Sequence, residues 1–248
     1  LFVRSNFSEA AAVAVAPLAV LGLIQAMDRP GPACILLGAA GVALVSLAHN
    51  AIALLLVPVL AFIAVFLGLT VHRSSGPPVR RFPLSRFAPL AAGGAVIILG
   101  LGLACYFWLP ALMEKGFVQT DRLREGFLRW SEHVVSPGQL LWSKWGYGLS
   151  VPGEADEMSF ALGPIHLILG MAGLFFALRW RNRKLTALAV AFAGAVIWGT
   201  CLSTAWAAPL WSRFETLQYL AYPWRTLALP ALFLPLLAVF AFEKIGPR

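Results

Sequence analysis

Long apolar runs without a single charged residue constrain this chain more than any other feature. Residues 33–71 contain no Asp, Glu, Lys or Arg. A helix needs roughly 20 apolar residues to cross a bilayer, so this stretch is too long for one crossing. We therefore predict two helices that form a hairpin turning at His49 and Asn50, with a re-entrant pair as the alternative.

The same pattern recurs along the whole chain and predicts a membrane protein. Charged residues make up 12% of the sequence, against about 25% in soluble proteins. The predicted fold is all-α, a polytopic transmembrane bundle of about seven spans with short interfacial helices in an outer loop. The predicted spans are 10–26, 33–48, 51–71, 87–109, 160–178, 185–204 and 223–242. We interpret residues 1–248 as a single transmembrane domain and, because the chain begins with Leu1, as part of a longer protein.

Basic residues are concentrated in two loops, 72–86 and 179–184, which hold four Lys or Arg residues each. Basic loops remain in the cytoplasm. This predicts an inner-membrane protein of a bacterium, with the N-terminus outside and the C-terminus inside. On that topology 11 of the 19 basic residues lie inside, beside only Asp28 and Glu243. The pI near 10 then reflects topology, so we expect membrane lipids as partners and no nucleic acid.

The outer loop 110–159 is the only sizeable segment outside the predicted spans. Its apolar residues recur at helical spacing between 122 and 134, which predicts an amphipathic helix along the membrane interface. Leu123, Phe127 and Trp130 would face the membrane.

A second pattern in the outer loop predicts another helix. Ser136 followed by Pro137 is typical of an N-cap and a first helical residue, so we predict a short helix over 137–144. An acidic cluster at 154–157 precedes the fifth span.

Two carboxylates on the outer side are candidate catalytic residues. Glu9 lies beside the first span, and Glu114 follows the aromatic stretch 106–108. A carboxylate beside an apolar wall can act as a general acid or base. The alternatives are a charge that anchors a helix end for Glu9 and a surface ion pair with Lys115 for Glu114.

Polar and basic residues near the outer ends of the spans are candidate substrate-binding residues. They are Arg4, His49, Asn50, Lys115, Trp224 and Arg225. Arg225 lies inside an apolar boundary, where it can bind a phosphate or extend towards water. The polar pair at 49–50 is either functional or a turn. No metal site is predicted, since one His cannot form one, and the sequence leaves any cofactor open.

Several tracts together resemble a known family. They are 1–4 with 8–10, 46–50, 106–115, 133–148, 158–163 and 222–225, and the most specific is 107–115. They resemble bacterial polytopic membrane proteins described as 6-pyruvoyl-tetrahydropterin synthase-related, which are similar to GT-C glycosyltransferases. The resemblance implies transfer of a sugar from a polyprenyl-phosphate carrier on the outer face of the membrane.

Three functions follow as hypotheses. The first is a GT-C-like glycosyltransferase that serves the cell envelope, in which Arg4 or Arg225 holds the carrier phosphate and Glu9 or Glu114 positions or deprotonates an acceptor hydroxyl. The second is a transporter or flippase-like protein, which predicts discontinuous helices. The third is a non-catalytic scaffold of envelope polysaccharide assembly.

Overall fold

The chain is all-α in the computed structural model, which describes residues 7–72, 87–117, 126–144, 146, 150–153, 156–179 and 182–242. No strand occurs within those ranges. The α-helices are α1 (Phe7–Asp28), α2 (Pro32–Ala48), α3 (Asn50–Leu67), α4 (Ala88–Leu103), α5 (Cys105–Met113), α6 (Pro137–Leu141), α7 (Pro164–Arg179), α8 (Arg183–Ser203), α9 (Ala208–Arg213), α10 (Glu215–Gln218) and α11 (Ala228–Phe242). Short 3₁₀ turns connect several of them.

Four helical segments are long and apolar enough to cross a membrane: Phe7–Asp28, Asn50–Val71, Arg183–Ser203 and Pro223–Phe242. The bent pair α4 and α5 makes a fifth if it counts as one span. These segments indicate an integral membrane protein. The count of seven is not confirmed, because α2 has 17 residues and α7 has 16. At about 1.5 Å per residue they reach about 24–26 Å, short of a hydrocarbon core of about 30 Å.

The predicted fourth span, 87–109, is not one straight helix. It breaks at Ala104, where α4 and α5 meet at an angle of 70°. Gly100 and Gly102 precede the break, and glycine weakens a helix because it loses the most backbone entropy on folding. The indole Nε1 of Trp108 donates a hydrogen bond to the carbonyl of Leu101 at 2.9 Å. That bond satisfies a carbonyl group beside the break.

The predicted amphipathic helix over 122–134 is wrong for the residues that the structure describes, which begin at 126. Two short 3₁₀ turns, Gly126–Leu128 and Trp130–His133, replace it. Gly126 has a φ of +57° and Arg129 is extended, so neither continues an α-helix. The helical spacing of the apolar residues gave a wrong prediction because Trp130 packs against another part of the protein. It stacks on Trp211 with 5.8 Å between the ring centroids. Leu123 and the Phe127 side chain lie outside the described residues.

The helix predicted after Ser136 is confirmed, although it ends at Leu141. The Ser136 hydroxyl accepts a hydrogen bond from the backbone N–H of Gln139, and the Gln139 side chain accepts one from the Ser136 N–H. This reciprocal capping box satisfies donors that a helix start otherwise leaves open. Leu140 then points into an apolar cluster with Val135, Met158, Phe160, Trp224 and Leu227.

The chain divides into two compact units. The second unit comprises Ser8–Pro110 and Phe175–Ala191. Its helices approach closely through small residues. A Cβ added to Gly22 would meet the backbone of Gly38, and one added to Gly100 would meet Val42. Small residues at such positions allow helix backbones to pack closely where lipid provides no hydrophobic driving force.

The first unit comprises Leu1–Phe7, Ala111–Leu174 and Phe192–Arg248. Here α11 packs on the parts of α7 and α8 that belong to the unit. A Cβ on Gly173 would meet the backbone at Leu237, and Phe192 lies 5.4 Å from Phe233 between ring centroids. The buried Thr226 hydroxyl donates a hydrogen bond to the Gly199 carbonyl at 2.7 Å. In the same unit, four loop residues pack with Trp224 and Leu227 in the apolar cluster: Val135, Leu140, Met158 and Phe160.

Candidate functional site at the start of the last span

The last span of the first unit begins with a short turn that concentrates aromatic and cationic groups. The 3₁₀ turn Pro223–Leu227 precedes α11, and Pro223 suits a helix start because it lacks an N–H donor. The Arg225 guanidinium lies over the Tyr222 ring at 5.0 Å and near the Trp224 ring at 5.8 Å. The two rings stack at 5.1 Å. A cation over an aromatic face is stabilised by the ring quadrupole.

Arg225 also makes a specific hydrogen bond to the backbone. Its Nη1 donates to the carbonyl of Leu220 at 2.8 Å. The side chain is half-buried, so both the ring contacts and this bond restrict its orientation. A guanidinium carries five N–H donors in a planar fork that matches a phosphate. The arrangement thus presents a cation of defined orientation at the start of an apolar helix.

Behind this turn lies a buried polar network formed by His133, Ser150 and Asp156. The three residues are 3%, 5% and 6% exposed. The Ser150 hydroxyl donates to Asp156 Oδ2 at 2.7 Å. The backbone N–H groups of Val151 and Met158 donate to the same carboxyl group at 3.1 and 2.9 Å. A buried carboxylate needs several such donors to offset its loss of water.

The order of the three side chains defines what the network can do. Ser150 lies between Asp156 and His133, whose Nδ1 is 3.0 Å from the Ser150 hydroxyl. Because the Ser150 hydrogen is given to Asp156, its oxygen is left to accept a hydrogen from His133 Nδ1. In a nucleophilic triad the His lies between Ser and Asp. This network is therefore not a nucleophilic triad, and its role is to position His133.

The His133 ring joins the network to the aromatic turn. It meets the Tyr222 ring edge-on, with centroids 4.8 Å apart and planes inclined at 76°. Trp224, which stacks on Tyr222, also packs against Phe160, with 6.2 Å between the ring centroids. Contacts thus run without a gap from Asp156 to Arg225.

Some of the residues predicted from sequence belong to this first unit. Trp224 and Arg225 are brought together as described. Glu114 lies just after α5, exposed, and makes no ion pair with any described residue. Lys115 begins the turn Lys115–Phe117, but its side chain is outside the described part of the chain.

The other predicted site residues lie elsewhere. Glu9 is half-buried in the first turn of α1. His49 separates α2 from α3, and Asn50 is the first residue of α3. All three residues are in the second unit. His49 has a structural role: its Nδ1 accepts a hydrogen bond from the N–H of Ile52 at 3.4 Å, which caps α3. A helix break is thus present at His49, and a functional role for the pair stays a prediction. Arg4 lies outside the described residues.

Sequence reasoning did not single out three residues of the network and turn as site residues: His133, Ser150 and Tyr222. It noted Asp156 only as one charge of an acidic cluster. No local spacing rule connects His133 with Ser150 or Tyr222, because tertiary contacts bring them together. The acidic cluster at 154–157 was the only signal that the sequence offered.

Chemistry at the site is limited by its residues. Within the described ranges, no three His, Cys, Asp or Glu side chains group as metal ligands. Comparisons with models of protein families, curated proteins and solved structures found no match. The family resemblance and the activity that it implies therefore remain predictions.

Proposed function

We propose that this protein is related to GT-C membrane glycosyltransferases and binds a polyprenyl-phosphate sugar at the start of its last span. The observation that carries the proposal is the Arg225 guanidinium, held over Tyr222 and Trp224 and anchored to Leu220. A lipid-linked sugar has an apolar chain and an anionic phosphate. A cation at the end of an apolar helix suits both parts, because the cation can bind the phosphate while the apolar helix contacts the lipid chain.

The proposal includes a topology and a family. The chain spans the bacterial inner membrane about seven times, with α2 and α7 as short crossings and the N-terminus outside. Residues 110–159 and the start of α11 then lie on the outer side. Trp142, 81% exposed, and Leu141 beside it would lie at the membrane interface, where Trp is favoured. The protein would belong to the polytopic family described as 6-pyruvoyl-tetrahydropterin synthase-related.

The catalytic role in the proposal falls to a carboxylate. Glu114, in the same unit as Arg225, would position or deprotonate the acceptor hydroxyl. Lys115 of that unit would contact the sugar or phosphate. The exposed position of Glu114 suits contact with an acceptor that arrives from water.

Binding of a polyprenyl-phosphate sugar to the purified chain in nanodiscs tests the proposal. Arg225→Ala should weaken binding at least about tenfold, since charge-assisted hydrogen bonds contribute about 1.5–3 kcal/mol. Arg225→Lys should bind with intermediate affinity because it keeps the charge and loses the planar fork. Arg213→Ala is the matched control, as Arg213 is exposed at the end of α9, and should bind like the wild type.

Thermal unfolding of the same variants separates binding from folding. Arg225→Ala also removes the bond to Leu220, so some loss of stability is expected. Equal and small effects of Arg225→Ala and Arg213→Ala on binding would reject the proposal and leave Arg225 as an interfacial anchor.

A flippase-like function is the second candidate, and the break at Ala104 favours it. Transporters place binding sites at discontinuous helices, and α4 and α5 form such a pair. Proteoliposomes containing a fluorescent polyprenyl phosphate distinguish the two functions, because a flippase makes inner-leaflet lipid accessible to an external quencher. Sugar transfer without such movement favours the enzyme, and neither activity favours the scaffold.

A further inference from the structure

The turn before Tyr222 holds a residue in an unfavourable backbone conformation. Ala221 has a φ of +58° and is the only residue other than glycine with positive φ in the described part of the chain. It is 4% exposed. The left-handed region brings the Cβ of an L-residue close to the next carbonyl oxygen, so it is disfavoured for alanine. Such conformations persist only where surrounding contacts hold them.

The contacts that hold Ala221 converge on its neighbour Leu220. The Leu220 carbonyl accepts the Tyr222 N–H at 2.6 Å and the Arg225 Nη1 at 2.8 Å. The Ala221 N–H donates to the Gln218 carbonyl at 3.0 Å. A carbonyl oxygen has two lone pairs, so these two donors satisfy it fully. Arg225 is therefore part of what holds the strained turn.

We propose that Ala221 is a positioning residue whose backbone strain is coupled to Arg225, so that an anionic headgroup releases the strain as it binds. This rests on the proposed function, in which Arg225 binds the phosphate of a polyprenyl lipid. A phosphate that draws the guanidinium from Leu220 removes one of the two hydrogen bonds that the Leu220 carbonyl accepts. Ala221 can then move towards a negative φ, and the released strain strengthens binding.

The coupling also reaches the buried network. Arg225 lies over the Tyr222 ring, and His133 meets the same ring edge-on. Movement of the turn would shift Tyr222 relative to His133, whose position is set through Ser150 by Asp156. Binding at the start of the last span thereby changes the contacts of His133, which link Tyr222 to Ser150 and Asp156.

The Ala221→Gly variant tests the coupling, because glycine adopts positive φ without the steric cost. The unbound state should lose its strain and gain stability. Binding should then lose the contribution from strain release. We expect a higher Tm and affinity for undecaprenyl phosphate about fivefold weaker, the lower end of the range expected for left-handed strain.

Ala207→Gly is a matched control, since Ala207 is also 4% exposed but has an ordinary φ of −86°. It should lower the Tm, because there is no backbone strain at this position for glycine to relieve, and glycine loses more conformational entropy on folding. Its affinity for undecaprenyl phosphate should equal that of the wild type. All three proteins are compared as full chains in phosphatidylcholine nanodiscs.

Each result supports or overturns a defined claim. A higher Tm with weaker binding for Ala221→Gly supports the coupling. Unchanged affinity in Ala221→Gly, or a Tm lower than wild type, overturns it while leaving the proposed function intact. Failure of the wild type to bind undecaprenyl phosphate overturns the proposed function itself, and the inference that rests on it.

Discussion

The ring of His133 meets the ring of Tyr222 edge-on at 4.8 Å, although one residue lies in the loop after α5 and the other just before the last span. This contact joins the loop to the membrane-spanning part of the first unit. His133 in turn is held by Ser150 and Asp156. The order of the loop thus depends on a buried carboxylate.

Removing that carboxylate should destabilise the protein. Asp156→Ala leaves the buried Ser150 hydroxyl and the buried Met158 N–H without this acceptor, and it also removes the acceptor of the part-buried Val151 N–H. We expect a loss of about 3 kcal/mol, in line with unsatisfied buried polar groups. Thermal unfolding in detergent measures it. Glu157→Ala is the control, because Glu157 is exposed, and should cost less than about 0.5 kcal/mol. Equal effects would deny Asp156 this role.

Two tryptophans should respond very differently to the same substitution. Trp211 is fully buried, stacks on Trp130 and donates its Nε1–H to the Leu202 carbonyl at 2.9 Å. Trp211→Ala should cost about 3–5 kcal/mol, the usual cost of an aromatic core deletion. Trp142 is 81% exposed, so Trp142→Ala should leave the melting temperature nearly unchanged. A large loss with Trp142→Ala would mean that its exposed face is covered.

Close helix packing predicts a third contrast, between two glycines of the second unit. A Cβ on Gly22 would overlap the backbone of Gly38, whereas nothing lies within 4 Å of a Cβ on Gly94. Gly22→Ala should therefore lower the unfolding temperature by forcing α1 and α2 apart. Gly94→Ala should raise stability by up to about 1 kcal/mol through helix propensity. If both substitutions stabilise, α1 and α2 are not in backbone contact.

The orientation of the chain is open to a labelling experiment. Glu157 and Arg183 are both exposed, so single cysteines at these positions are accessible once Cys34, Cys105 and Cys201 are replaced. The basic-loop rule predicts that a membrane-impermeant maleimide labels Glu157→Cys in intact cells. Arg183→Cys should react only after the membrane is opened. Labelling of Arg183→Cys in intact cells would invert the topology.

Local chemistry was predictable where a few neighbouring residues decide the structure. Ser136 and Pro137 start a helix because a hydroxyl caps it and proline needs no donor there, and the structure has that cap. The polar pair at His49 separates two helices, as its position between apolar runs indicated. In both cases the relevant atoms lie within four residues of one another.

Prediction failed where distant contacts decide. Apolar residues do recur at helical spacing over 122–134. Trp130, however, packs on Trp211 from a 3₁₀ turn, so burying its side chain does not require an α-helix. The hydropathy of the run 87–109 did not predict the bend at Ala104. Hydropathy does not indicate where a side chain, such as the Trp108 indole, supplies the hydrogen bond that a backbone carbonyl, here that of Leu101, needs at a helix break.

The sequence by itself determined that this protein is helical and built for a membrane. Long uncharged apolar runs have one stable solution in lipid, in which each backbone donor and acceptor is paired within its own helix. Only the tertiary structure decided which polar residues meet. His133, Ser150 and Asp156 form a network, and Ala221 is strained beside Arg225, because packing between segments far apart in the chain brings them within hydrogen-bonding distance or holds them against their local preference.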